Sequence, residues 1–156
     1  MPPQPDVKTR FIEIRSHQVE VDYSIADLVL SLNLMGIDTG GSCEGHLDGK
    51  RHPYPWVATN RFLDIFDNGS LSRLRELLAQ FNEQSEIPWE YSLLVGVTPA
   101  SDILTKFGIT PKVRGEFVDA TQTHVVPISP DNLGRLQQSA RELGEFLLTS
   151  LRTASF

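Results

Sequence analysis

The sequence predicts an α+β fold, a two-layer sandwich in which three main helices cover a mostly antiparallel sheet. Three observations support this class. Short segments with alternating apolar residues predict strands, and two long segments carry leucines at helical spacing. The segments also follow one another as strands, helix, strand, helix, strands and helix, without a regular βα repeat. A parallel α/β sheet is the alternative. The 156 residues contain no long linker, so we expect a single domain over 1–156.

The first forty residues predict a hairpin followed by a buried helix. Residues 1–6 are proline-rich and are expected to be a flexible tail. Residues 7–15 and 19–23 are rich in β-forming side chains and are expected to pair across a turn at 16–18. Ser24 is expected to cap the first helix, whose apolar spacing continues to Met35. Gly36 is expected to end that helix, because glycine accepts a left-handed conformation without strain.

Glycines and charges predict a loop over residues 40–52. A strand is then expected over 55–59, a short helix or a continued strand over 61–67, and a turn at 68–69. Ser70 begins an amphipathic helix. Pro88 begins a strand of alternating residues that extends to Val97.

The last third of the chain predicts one or two helical turns over 100–107, ended by Gly108, and strands over 112–119 and 124–128. Ser129 is expected to cap the last helix and Pro130 to open it. This helix has an apolar stripe that consists of Leu133, Leu136, Ala140, Leu143, Leu147 and Leu151. Gly134 and Gly144 interrupt the helix, and we expect them to lie where it crosses a neighbour closely.

Composition restricts the function classes. The net charge of −6 argues against nucleic acid or a membrane surface as a general partner, because phosphate contacts need clustered lysine and arginine. A single cysteine forms no internal disulfide, and we expect a cytoplasmic protein. The most apolar run, residues 25–37, contains Asp27, Ser31 and Asn33 and is too short to span a bilayer.

The stretch from Ile37 to His46 is the most informative part of the chain, because it contains the only cysteine, Cys43. Thiolate and imidazole are ligands of zinc and of iron, so Cys43, His46 and His52 form one candidate metal site. A structural zinc site needs four protein ligands, and no second Cys/His pair is present. His17 or His124 would complete a three-ligand catalytic site if the fold brought one of them near.

A second hypothesis makes Cys43 a nucleophile, His46 its base, and Glu44 a candidate acid or base. Backbone N–H groups of the turn would then surround the thiol and support an oxyanion. The acidic neighbour Glu44 would disfavour the thiolate unless its side chain is directed elsewhere.

A third hypothesis needs no chemistry at the cysteine. A glycine-containing loop binds small polar or anionic ligands through its N–H groups, and basic side chains follow closely here. The residues expected to bind are Gly41, Ser42, Gly45, Lys50, Arg51 and Trp56. The glycine spacing matches neither the dinucleotide-binding nor the P-loop motif, so tight turns would explain these glycines equally well.

Residues 25–78 resemble the wybutosine-synthesis tRNA methyltransferase family. In that family an apolar helix leads into a Thr-Ser-Ser-Cys-Ser-Gly-Arg segment, followed by a loop, a strand with tryptophan and an amphipathic helix. The matching positions here are Ser42, Cys43 and Gly45, then Trp56-Val57, then the helix from Leu71. The resemblance implies an α+β fold with a site near the cysteine, and S-adenosylmethionine and tRNA as candidate ligands. The stretch from Gly36 to His46 is also similar to small bacterial proteins with a Gly-Ile-x-Thr-x-x-Ser-Cys-Glu-Gly-His segment.

The sequence therefore predicts a small soluble protein with a ligand-binding or catalytic site at residues 42–52. One competing hypothesis is a methyltransferase-like protein that uses S-adenosylmethionine. Another is a non-catalytic interaction module, in which the apolar stripe of the last helix packs on a partner or forms a homodimer.

Overall fold

The computed structural model describes residues 9–14, 16–45, 54–59, 69–97, 103–112 and 130–153. The helices in these ranges are α1 (Ala26–Leu34), α2 (Ser70–Gln84) and α3 (Pro130–Thr153). The strands are β1 (Thr9–Ile14), β2 (His17–Asp22), β3 (Thr39–Cys43), β4 (Trp56–Thr59), β5 (Trp89–Val97) and β6 (Ile103–Pro111). None of these helices combines the length and the apolar character that crossing a bilayer requires.

The strands form two antiparallel sheets, and the predicted α+β class is confirmed. β1 and β2 are a hairpin in which Ile12 pairs with Val19. The other four strands form one sheet in the order β3-β4-β6-β5. β3 is therefore an edge strand of the larger sheet, and β2 has only β1 as a partner among the described strands.

The helices pack on one another and on the larger sheet. α1 crosses α3 so closely that a Cβ added at Gly144 would lie 2.7 Å from the Leu28 nitrogen. The expected close crossing is thus confirmed at Gly144 but wrong at Gly134, where an added Cβ meets no described atom within 4 Å. The stripe of α3 is buried from Leu133 to Leu147 inside the chain itself. This surface is therefore not available to a partner, and it gives no support to an interaction module or a homodimer through α3.

The two ends of α1 differ in how they are capped. At its C-terminal end Gly36 has φ +86°, as predicted for the residue that stops the helix. The N–H groups of Gly36 and Ile37 donate to the carbonyls of Asn33 and Leu32 at 3.1 and 2.9 Å, which satisfies the last carbonyls of the helix. The predicted cap by Ser24 is wrong, because Ser24 lies within a 3-10 turn (Tyr23–Ile25) and makes no side-chain cap.

Two further element predictions are wrong. Residues 40–43, expected in the loop, belong to β3, and residues 103–107, expected in a helical turn, belong to β6. Gly108 does not end an element; it pairs with Ser92 on one side and with Ala58 on the other. A strand was predicted over 112–119, but Lys112 lies just after the end of β6. Residues 113–119, the strand predicted over 124–128 and the element predicted over 61–67 lie outside the described residues.

Candidate functional site

Cys43 lies at the corner where β3 leaves the sheet. It pairs directly with Trp56, the first residue of β4. The Trp56 indole covers Gly41, with ring carbons 3.7 Å from the position that a Gly41 Cβ would occupy. An aromatic ring over an edge glycine supplies the packing that the glycine lacks. This contact gives a physical reason why a glycine-rich segment forms a strand here.

The alternation of a strand separates the predicted site residues into two groups. Gly41, Cys43 and Trp56 occupy one face of the sheet, because directly paired residues of antiparallel strands share a face. Ser42 pairs with the fully buried Val57 and occupies the other face, which packs against the helices. The side chains at positions 42 and 43 are therefore directed to opposite faces of β3.

The turn after Cys43 is tightly packed. Cys43 is only 8% exposed, and its Sγ accepts the N–H of Gly45 at 3.5 Å. Gly45 has φ +98°, and a Cβ there would lie 3.1 Å from the Tyr54 carbonyl carbon and 2.7 Å from a methyl carbon of Leu133. Only glycine fits both the left-handed conformation and this space. Burial raises the pKa of the nearby Tyr54 phenol, which therefore remains protonated at neutral pH.

Glu44 connects three elements through three hydrogen bonds. Its Oε2 accepts the N–H of Ser24 at 3.3 Å, and its own N–H donates to Asp22 Oδ2 at 3.1 Å. Its carbonyl accepts Gln137 Nε2 of α3 at 3.2 Å. A carboxylate at the start of a helical segment satisfies a free N–H and interacts favourably with the helix dipole. The Glu44 side chain thus contacts the 3-10 turn (Tyr23–Ile25) that leads into α1, the segment in which the sequence predicted a cap by Ser24.

The environment of Cys43 leads to a first testable expectation. A thiol that is buried reacts only after local opening, so we expect Ellman's reagent to label the native chain about a hundredfold or more slowly than the chain unfolded in guanidinium. Labelling at comparable rates in both states would contradict this expectation and would support the nucleophile hypothesis. Cys43→Ala, which has no thiol, serves as the blank in both conditions.

The other predicted site residues are either outside the described residues or far from the cysteine turn. His46, Lys50, Arg51 and His52 lie outside the described residues, as does His124. His17 is exposed at the first position of β2, five residues before Asp22, which corresponds to roughly 16 Å of strand. Since Asp22 is the residue of β2 that contacts Glu44, His17 lies at the far end of that strand from the cysteine turn. In the described ranges no three His, Cys, Asp or Glu side chains are grouped to hold a metal ion.

A groove of about 550 Å³, here named the β2–β3 groove, contains two of the predicted residues, Gly41 and Ser42. Residues 19–21 of β2 form one wall, and residues 38–42 form the other. Ile14 of β1 and Val29 and Asn33 of α1 complete the lining. The side chains of consecutive residues in a strand point to alternate faces of the sheet. A groove that is lined by consecutive residues of two strands is therefore bounded by the edges of those strands and not by their faces.

The polar groups of the β2–β3 groove are mainly acceptors. Two carboxylates, those of Glu20 and Asp38, line it, and none of its described lining residues is a lysine or arginine. The Asn33 amide is fixed by its Nδ2, which donates to the Val29 carbonyl at 2.8 Å and to Thr39 Oγ1 at 3.1 Å. No described residue donates to Asn33 Oδ1. Sequence reasoning missed Glu20, Asp38 and Asn33, because no local signal links β2 to residues twenty positions later.

Comparison of the chain with models of known protein families, with curated proteins and with solved structures found no match.

Proposed function

We propose that this protein is a binding protein whose ligand occupies the β2–β3 groove and is polar, and either uncharged or cationic. One observation carries the proposal: the groove beside Gly41 and Ser42 is lined by the exposed Glu20 carboxylate and by no described cationic side chain. Opposite charges attract over a few ångströms even near a protein surface, whereas an anion would be repelled. The sequence analysis predicted a small ligand that is polar or anionic. We retain a polar ligand as the proposal, and we regard an anionic ligand in this groove as disfavoured.

The acceptor geometry supports the same class of ligand. Asn33 is held by its two Nδ2 hydrogen bonds, so its Oδ1 has a fixed position without a described donor. A ligand with N–H groups would donate to this oxygen and to the Glu20 carboxylate. A fixed acceptor loses little conformational freedom on binding, which favours affinity. Apolar contacts from Ile14 and Val29 would accompany these polar ones.

S-adenosylmethionine is a second candidate within the same chemistry. It has a sulfonium and an ammonium group, both cationic, and it is the ligand that the resemblance in residues 25–78 implies. Binding of this compound in calorimetry would favour the methyltransferase hypothesis, and its failure to bind while other cations bind would leave a simple binding protein.

The test is a thermal-unfolding series with spermidine, arginine amide and S-adenosylmethionine, and with citrate as an anionic comparison. We expect at least one of the three cations to raise the midpoint of unfolding in a concentration-dependent manner, because a ligand that binds only the folded state stabilises it. We expect Glu20→Gln to weaken that cation's affinity about twofold to fivefold, since Glu20 is exposed and its attraction is screened by solvent.

The matched control is Glu13→Gln. Glu13 is also exposed and lies on the neighbouring strand of the same hairpin, but it does not line the groove. A general response of an acidic protein to cations would change equally in both variants. Equal effects of Glu20→Gln and Glu13→Gln, or stabilisation by citrate alone, would overturn the proposal.

A further inference from the structure

We infer that the ligand of the β2–β3 groove is an extended peptide with alternating apolar and basic side chains, which binds by adding a strand to β3. This inference rests on the proposed function, because it assumes that the groove is the binding site. It goes further by assigning the ligand to a chemical class and a binding mode. Its support is the arrangement of two strand edges on opposite sides of one groove.

Both walls of the groove present backbone as well as side chains. β3 is the edge of its sheet and β2 has β1 on its other side, so among the described strands neither has a partner across the groove. The edge of a strand carries N–H and C=O groups that a further strand can pair with. Residue 40 is the extra residue of a bulge between Thr39 and Gly41, and it is an exposed glycine. An extra residue in a bulge is left out of the ladder, so its backbone groups remain available.

A hydrogen bond joins the two walls of the groove at one end. It runs from the Glu44 N–H to Asp22 Oδ2 and holds the C-terminal ends of β2 and β3 together. We therefore expect the peptide to pair with the edge of β3 alone and not to insert between two strands. The wall from Thr39 to Ser42 covers four residues, or roughly 13 Å, which suits a peptide of about four to five residues.

The residues that line the groove determine which side chains a bound peptide should have. Val29 of α1 is 2% exposed and belongs to the floor, and the apolar residues Ile14 and Val21 also line the groove. Alternate side chains of a bound strand would pack on these apolar residues. The remaining side chains would lie near Glu20, whose carboxylate favours lysine or arginine at those positions.

The probe is the acetylated and amidated pentapeptide Lys-Val-Lys-Val-Lys, with binding measured by calorimetry. Two further peptides have the same side chains but N-methyl groups on alternate residues, one on the odd and one on the even positions. Successive N–H groups of an extended peptide point to opposite sides, so each N-methylated peptide lacks the hydrogen-bond donors on one side. We expect at least one of them to bind about tenfold more weakly than the parent peptide, because backbone hydrogen bonds to β3 are lost. We also expect slower hydrogen exchange in residues 39–42 when the parent peptide is bound.

A pair of protein variants tests the location. Val19 is 37% exposed and lines the groove, whereas Phe11 is 64% exposed on the same hairpin and does not. Val19→Lys introduces a positive charge into the groove and should abolish measurable peptide binding, while Phe11→Lys adds the same charge elsewhere and should leave the affinity unchanged.

The outcomes separate this inference from the proposed function. Equal binding of the parent and both N-methylated peptides would overturn strand addition, and so would absent peptide binding in a protein whose cation affinity responds to Glu20→Gln. In both cases the proposed function would stand. Absent binding of peptides and cations alike would overturn both.

Discussion

Gly144→Ala is expected to destabilise the protein by about 2 kcal/mol, although alanine is the better helix former. A Cβ at position 144 would lie 2.7 Å from the Leu28 nitrogen and 2.9 Å from the Asp27 carbonyl carbon. These atoms belong to the backbone of α1 and cannot move as a side-chain end would, so α1 and α3 must separate. Overpacking of this kind costs about 1 to 3 kcal/mol or more, and the gain of up to about 1 kcal/mol in helix propensity offsets only part of it. Urea unfolding followed by circular dichroism measures the change.

Gly134→Ala is the matched control in the same helix, and the opposite sign is expected. Gly134 is exposed, and an added Cβ meets no described atom within 4 Å. The substitution should therefore stabilise the protein by about 0.5 to 1 kcal/mol through helix propensity alone. Equal effects of the two substitutions, of either sign, would contradict the close crossing of α1 and α3.

The parts of the fold that depend on local sequence were predictable. The apolar spacing of α2 and α3 and the alternation after Pro88 identify their elements without tertiary information. Gly36 ends α1 as expected, because the left-handed conformation it needs is a local property. Gly144 does not belong to this group, because the same reasoning also predicted a close crossing at Gly134, where an added Cβ meets no described atom within 4 Å.

The parts that depend on distant partners were not predictable. Residues 40–43 have the composition of a loop, and they form a strand because Trp56 covers Gly41 and β4 pairs with them. β6 is a strand along its whole length because β5 pairs with it from Trp89 to Val97. The N–H of Ser24 is satisfied by Glu44, twenty residues away, rather than by a local side chain.

The candidate site shows the same division. The cysteine turn was recognisable from its glycines, and Gly45 does have the positive φ that such a turn needs. The placement of Ser42 and Cys43 on opposite faces of β3 was not predictable, because the segment was expected to be a loop and not a strand. The groove that includes Ser42 is completed by β2, and only the packing of the hairpin against α1 brings these segments together.

Asn82→Ala is expected to lower stability by about 2 to 4 kcal/mol, an effect as large as that of Gly144→Ala. Asn82 of α2 uses both ends of its amide on the backbone of Trp89: Oδ1 accepts the N–H and Nδ2 donates to the carbonyl, each at 2.8 Å. β5 is at the edge of the sheet that the described strands form, so Asn82 takes the place of a neighbouring strand at this position. A backbone donor or acceptor that is left unsatisfied away from water costs about 1 to 3 kcal/mol, and the substitution leaves one of each.

The two hydrogen bonds between the Asn82 amide and the Trp89 backbone, here named the amide clamp, are expected to matter for stability because of where Trp89 lies. Trp89 is 1% exposed, and its indole N–H donates to Ser139 of α3 at 2.9 Å, so α2, β5 and α3 meet at one residue. Its partner across the sheet is Pro111, which has no N–H. The loss of that donor is tolerated because the backbone groups of Trp89 are directed to Asn82 on the opposite side.

The measurement for Asn82→Ala is urea unfolding followed by both tryptophan fluorescence and circular dichroism. Glu83→Ala is the control, because Glu83 is exposed on the same helix and should change stability by less than about 0.5 kcal/mol. Asn82→Asp keeps the acceptor for the Trp89 N–H but directs a second oxygen towards the Trp89 carbonyl. It should therefore be destabilised as well, which separates loss of the paired bonds from loss of side-chain volume. If Asn82→Ala and Glu83→Ala were equally stable, the hydrogen bonds of Asn82 would contribute nothing to the free energy of unfolding. Trp89, the first residue of β5, would then be held in place by its burial alone.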